Sequence, residues 1–268
     1  MKYILIIMIL INSNNLFANT APQVSIEKLV HNSYNNLVAH GFNQRIRFQA
    51  REDLKYAYSK NPNEPWLYML ASVLSLIEGY KVGHWYNEES FLPHTVDRAI
   101  EFAKRTIELD SKFTRGYVQL AWFYIIKKDY KNANYYLDKA YYLDEKNYYF
   151  WLYKGTLSFE QYKYNEANTF YDKALLYAIT SYEKNVIQSR KRKIAQKLGN
   201  VKEEEKLYIA HIKSNPNSAY SYGNYGSFLL YSKRYDEAVK YLEKAVNIKP
   251  YNLALENLKK AKGKLKEK

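Results

Sequence analysis

The residues best equipped for chemistry in this 268-residue chain are few. There are five histidines, His31, His40, His84, His94 and His211, and no cysteine. His84 and His94 share the stretch YKVGHWYNEESFLPHT with Glu88 and Glu89, a set of nitrogen and oxygen donors of the type that holds a divalent metal. A ten-residue separation puts no two ligands on one helix face and matches no metal motif, so loop histidines that pack or meet solvent are the simpler account. No metal site is expected. The lack of cysteine excludes disulfide frameworks, thiolate zinc sites, iron–sulfur clusters and cysteine nucleophiles. No G-x-S-x-G, H-E-x-x-H or P-loop sequence occurs. Carboxylates are plentiful but sit beside lysines, as in Asp138-Lys139 and Glu243-Lys244, the pattern of a solvated helix surface. The expectation is therefore a non-enzymatic chain with no catalytic residue and no cofactor.

Charge and aromatic surface are the chemistry that remains. Lys+Arg number 41 against 27 Asp+Glu, a formal charge of +14, and the densest basic run is Ser189-Arg190-Lys191-Arg192-Lys193. Such a run suits an anionic polymer, lipid headgroups or an acidic protein surface, and equally a solvated helix with no partner. Tyrosine is abundant, at 30 residues, in a chain rich in Asn, Lys and Ile. That richness is a compositional bias before it is a functional signal. Hydrophobic residues at 47% and charged residues at 25% are the balance of a globular protein. Only nine Gly and six Pro argue against a collagen-like chain or a sandwich of many short strands.

Residues 1–21 read MKYILIIMILINSNNLFANTA: a positive start, an apolar run from Ile4 to Ile11, then Ala18 before polar Asn19-Thr20. This is the layout of a secretory signal peptide over 1–18, too short in its apolar run to span a membrane. Export to the periplasm or beyond the cell is expected, with no transmembrane segment and no nucleic-acid partner. N-terminal sequencing of protein from an envelope fraction should start near Asn19. A chain retaining Met1 would overturn the leader.

The elements that must position the rest come from a repeat. Tyr117 and Trp151 lie 34 residues apart, as do Ala121 and Gly155, Ala133 and Ala167, Leu137 and Tyr171, and Ala140 and Ala174. Ala99, Ala103 and Thr106 continue the series upstream. Downstream, Tyr222, Gly226, Ala238, Leu242, Ala245 and Pro250 keep the same spacing, and near the start Tyr34, Val38, Ala50, Leu54, Ala57 and Pro62 do so again. An aromatic four positions before a small residue occupies one face of a first helix. Small, large and small residues at intervals of four and three form one face of a second. Polar turns such as Lys127-Lys128-Asp129 join the two, and prolines close the units. No such unit buries its apolar face alone, so neighbours must stack.

This pattern resembles the tetratricopeptide repeat family, most fully in AYSYGNYGSFLLYSKRYDEAVKYLEKAVNIKPYN at 219–252. The resemblance implies an all-α, right-handed superhelical solenoid of about six helix-turn-helix repeats. They fall at 31–62, 63–113, 114–147, 148–181, 185–218 and 219–252, after a lead-in at 19–30 and before a basic capping helix at 253–268. The second unit carries an insertion about 80–95. The fifth departs from the pattern, with Gln188, Arg192, Glu204 and His211 where aromatic and small residues belong.

By the same resemblance the first helix of each unit lines a concave groove. That groove would carry Leu67 and Tyr68, then Val118, Gln119 and Trp122, then Tyr149, Leu152, Tyr153 and Thr156. Farther on it would carry Ser189, Arg190, Lys193 and Lys197, then Tyr220, Asn224, Ser227 and Tyr231. The clamp with which some members hold a chaperone's terminal carboxylate is not complete here: Arg190 and Asn224 fall in the wrong order. The function this implies is a scaffold or adaptor of the cell envelope, one subunit of a larger complex, holding a protein or an extended, acidic peptide. The rival is a binder of anionic glycan or membrane surface through the basic run and the tyrosines.

Overall fold

The computed structural model describes residues 25–81 and 88–267; the expected leader at 1–18 and His84 lie outside them. Among the described residues thirteen α-helices follow one another, with one short 3-10 turn at Glu88–Ser90 and one isolated bridge between Tyr80 and Phe91. They group into two compact units that divide after Glu160. The first unit holds α1 (Ile26–His40), α2 (Gln44–Lys60), α3 (Pro65–Gly79), α4 (Thr95–Leu109), α5 (Thr114–Ile126), α6 (Tyr130–Leu143) and α7 (Tyr148–Glu160). The second holds α8 (Tyr164–Tyr177), α9 (Ser181–Lys197), α10 (Val201–Ser214), α11 (Ala219–Tyr231), α12 (Tyr235–Ile248) and α13 (Asn252–Lys266).

Helix starts are set by local capping. Ser25, Asn43, Asp129, Asn200 and Ser218 each offer a side-chain oxygen to an unpaired N–H of the first turn. Thr180 and Glu183 form a reciprocal capping box at α9. Three of the turns inside the pairs share one closure. Lys128, Gly199 and Lys233 take left-handed φ values of 58°, 65° and 62°. The next N–H in each case reaches back past the helix end: Asp129 to the Tyr124 carbonyl, Asn200 to Ala195 and Arg234 to Leu229, at 2.9, 2.8 and 2.9 Å.

The small residues found by periodicity are the seams. Ala50 and Ala57, Ala99 and Ala103, Ala133 and Ala140, and Ala238 and Ala245 are all fully or almost fully buried, with Leu54, Leu137 and Leu242 between them. Gly226 has a steric reason as well: a Cβ there would stand 2.7 Å from Leu242 Cγ, closer than any side chain tolerates. Burial of one such leucine is worth about 1.5–3 kcal/mol. At the C-terminal end α13 packs on α12 through Ala254 and Ala261, and Asn257 Nδ2 donates to Ser227 Oγ at 2.8 Å. Lysines occupy the outer positions of α13.

Several details differ from the sequence reading. Helix α1 begins at Ile26 rather than 31, and α9 at Ser181 rather than 185. Val38 is not on the seam of its pair: it is exposed, and Ser33, Tyr34 and Leu37 are the buried residues of α1 near it. The polar residues of the fifth pair find one another. Gln196 Nε2 donates to the buried Glu204 at 2.6 Å, and the Arg192 guanidinium lies 4.5 Å from the centre of the Tyr208 ring. His211 has its pKa lowered, first by burial and then by Arg192, so it sits there as a neutral imidazole at neutral pH. The described part of the insertion is anchored. Phe91 is buried against the Tyr80 ring, and Lys127 pairs with Glu88 and Asp97. His94 is exposed at the N-terminus of α4, 3.8 Å from Asp97. Among the described residues no cluster of three metal-ligating side chains forms, and no helix is long and apolar enough to cross a membrane.

Candidate functional site

In the first unit the first helices α1, α3, α5 and α7 lie side by side: α1 packs on α3, and α5 on α7. Their shared face is aromatic. Trp66 meets His31 at 4.1 Å between ring centres, Tyr34 edge-on at 5.4 Å and Phe113 edge-on at 5.0 Å. Trp122 on α5 stacks on Tyr153 of α7, 5.9 Å apart and 8° from parallel. Offset stacks of this type add about 0.5–1.5 kcal/mol beyond the area they bury. Each of these contacts joins two different helices or their caps, so stacking the repeats creates the surface.

Arg115 lies at the centre of this face. Its guanidinium carbon is 3.2 Å from the centre of the Tyr149 ring and 5.5 Å from that of Tyr34. Nε and Nη2 both donate to Tyr34 Oη, at 3.4 and 3.3 Å. Because Arg115 can only donate, the Tyr34 hydroxyl proton must go elsewhere, and it goes to Gln119 Oε1 at 3.2 Å. Burial pushes the Tyr34 pKa up and outweighs Arg115, so this group is a neutral phenol. Burial opposes the Arg115 charge, but Tyr34, Tyr149 and Tyr153 together raise its pKa, and it stays a cation. Among the described residues no carboxylate pairs with it.

The groove residues expected from the sequence divide by burial. Trp122, Tyr149 and Tyr153 are half-buried and share the face just described. Val118, Leu152, Leu67 and Thr156 are buried. Tyr68 is buried too, its hydroxyl donating to the Pro62 carbonyl at 2.9 Å. Gln119 is only 2% exposed and belongs to the polar chain from Arg115. In the second unit Lys193, Lys197, Tyr220 and Tyr231 are exposed, and Ser189, Arg190, Asn224 and Ser227 are half-buried. The basic run there is partly engaged within the chain, since Lys191 pairs with Asp172 and Arg192 covers Tyr208. The sequence reading missed Arg115, Tyr34, Trp66 and Phe113. Arg115 was within reach of it, being four residues before Gln119 and seven before Trp122 on one helix face.

A family model for the tetratricopeptide repeat matches residues 114–147 and 219–252. Solved structures share the architecture. A thermophilic tetratricopeptide repeat protein of Thermus thermophilus superposes with a TM-score of 0.61 at 18% identity, over 77% of this chain and 100% of its own. Two stretches of the chain are tetratricopeptide repeats by that model, and the whole shares the all-α repeat fold of these structures. Pseudomonas aeruginosa pilF gives 0.55 at 15% identity, over 91% of this chain and 97% of its own. A chain of the anaphase-promoting complex hetero-tetramer Cut9–Hcn1 gives 0.59 at 16% identity, over 88% of this chain. The present chain spans 46% of that longer one. No curated protein matches significantly. The first helices of the first unit present an aromatic face with an arginine, the residue types in which binding energy concentrates.

Proposed function

We propose that this protein is an exported, non-enzymatic scaffold of the cell envelope that holds an acidic protein, or an extended segment of one, along the face of its first helices. The observation that carries this reading is the half-buried row of Trp66, Arg115, Tyr149, Trp122 and Tyr153. It combines rigid aromatic area with a cation that has no carboxylate partner among the described residues. Aromatic and arginine side chains in partly desolvated surfaces are where binding energy concentrates. The leader-like residues 1–18 support export. One structural neighbour is a chain of the APC/C hetero-tetramer Cut9–Hcn1. Assembly with a different protein chain is the role proposed here as well.

The reading is tested by site-specific photo-crosslinking in envelope extracts. A crosslinker in place of Tyr149 on α7 should trap a discrete partner. The same group in place of Tyr142, which is 85% exposed on α6, should not. Equal capture at both positions, or capture only at Tyr142, would count against the first-helix face. A crosslink confined to the Arg190–Lys193 region and lost at high salt would favour the anionic-surface alternative.

A further inference from the structure

Helix α5 carries three hydrogen-bonding groups on one face, Arg115, Gln119 and Trp122, at spacings of four and three residues. The Arg115 cation is met by the Tyr34 hydroxyl and the Tyr149 ring, and by no carboxylate among the described residues. The Gln119 amide is oriented by its neighbours, since Oε1 must accept the Tyr34 proton, which leaves Nε2 as a buried donor with no acceptor. Trp122 Nε1 is a second buried donor with no acceptor. Buried N–H groups without partners are rare, because each has given up its water for nothing in return. Here two of them stand beside an unpaired cation along barely two turns of one helix. Every unmet group is a donor. A ligand that satisfies all three must therefore bring acceptors, and the one opposite Arg115 must carry negative charge.

We infer that Arg115, Gln119 and Trp122 form a recognition site for an aspartate or glutamate side chain of an extended partner segment. The carboxylate pairs with Arg115 above the Tyr149 ring, and Gln119 Nε2 and Trp122 Nε1 donate to main-chain carbonyls of the same segment. This rests on the first-helix scaffold reading and adds the chemistry of what is read. The stack on Tyr149 and the two bonds to Tyr34 fix the guanidinium plane in advance, so little rotamer freedom is lost on binding. The excess of basic over acidic residues in the chain favours the same sign of partner.

The test uses random twelve-residue peptides displayed on phage and selected on the chain lacking residues 1–18. Selected peptides should carry a recurrent Asp or Glu, and changing that residue to Asn or Gln should weaken binding about tenfold or more. Arg115→Gln should reproduce that loss and abolish the preference for the acid. Arg115→Lys, which keeps the charge without the planar fork, should recover part of it. Thermal melts of both variants show whether a loss of binding is a loss of fold. Trp122→Phe, which removes only the indole donor, should weaken binding of every selected peptide. Selected peptides that bind through Trp122 and Tyr153 with no acidic preference would overturn the inference while leaving the scaffold reading standing. Binding indifferent to Arg115, Trp122 and Tyr153 alike, or no peptide enriched, would overturn both.

Discussion

Ala133→Arg and Ala167→Arg are each expected to cost about 3–5 kcal/mol, through overpacking of a close seam and burial of an unpaired cation. Ala133 and Ala167 have no solvent exposure. Each begins the small-large-small face of its second helix, followed by Leu137 and Ala140 in one case and Tyr171 and Ala174 in the other. A guanidinium at either place has no room and no carboxylate provided for it. The second helix must swing away or the pair must open. Because repeats contact mainly their neighbours, the loss should spread from the altered repeat instead of erasing all helicity at once. Circular dichroism melts read the size of the effect, and hydrogen exchange reads its place. Tyr135→Arg, at a position 54% exposed on the same α6, is the control and should stay within about 0.5 kcal/mol of the parent. Parent-like melting of both alanine variants would mean that the register of the repeat is wrong.

Trp122→Ala should act on fold and binding together. The indole packs against the buried cluster around Leu120 and Phe123 and stacks on Tyr153, so its removal should cost about 2 kcal/mol of stability. Partner affinity should fall by about 1–2 kcal/mol as well. A residue that only lined a groove could be removed without harm to the fold, but Trp122 packs on the buried cluster through Phe123 and so also supports the core. Tyr153→Ala separates the two effects. It removes the other half of the stack from α7 while leaving the indole on its core contacts, so affinity should drop with a smaller change in melting. The measurement is affinity for the crosslinked partner beside a thermal melt for each variant. Lowered melting with unchanged affinity in both would make the stack a core feature and remove it from the binding face.

The second helices were almost fully legible in the sequence. Ala133, Leu137 and Ala140 fall on one helical face by spacing alone, and the same spacing at Ala238, Leu242 and Ala245 predicts the same seam, which is where all six are buried. Gly226 was legible for the same reason, as the small residue opposite that seam. The first helices were harder. Sequence spacing cannot separate first-helix residues that the packing buries from residues that it leaves partly open, because both occupy the positions between seam residues. Val118 and Leu152 went one way, and Trp122 and Tyr149 the other. The first pair misled for a different reason. Its α1 starts early and its α2 is long, so counting back from Ala50 lands on exposed Val38.

What the sequence by itself determined is the all-α repeat, its approximate units and the alanine seams, because each is encoded by residues three, four or seven apart on one helix. The tertiary structure alone decided the aromatic face around Arg115. Tyr34 and Gln119 are 85 residues apart in the chain, yet one hydroxyl joins the Gln119 amide to Arg115. That meeting depends on how closely α1 and α5 approach once the intervening pair is stacked, a distance set by the packing of several helices together. The unpaired cation and the two donors without acceptors exist only after that packing is complete, since a polar group becomes unsatisfied only when burial takes its water away.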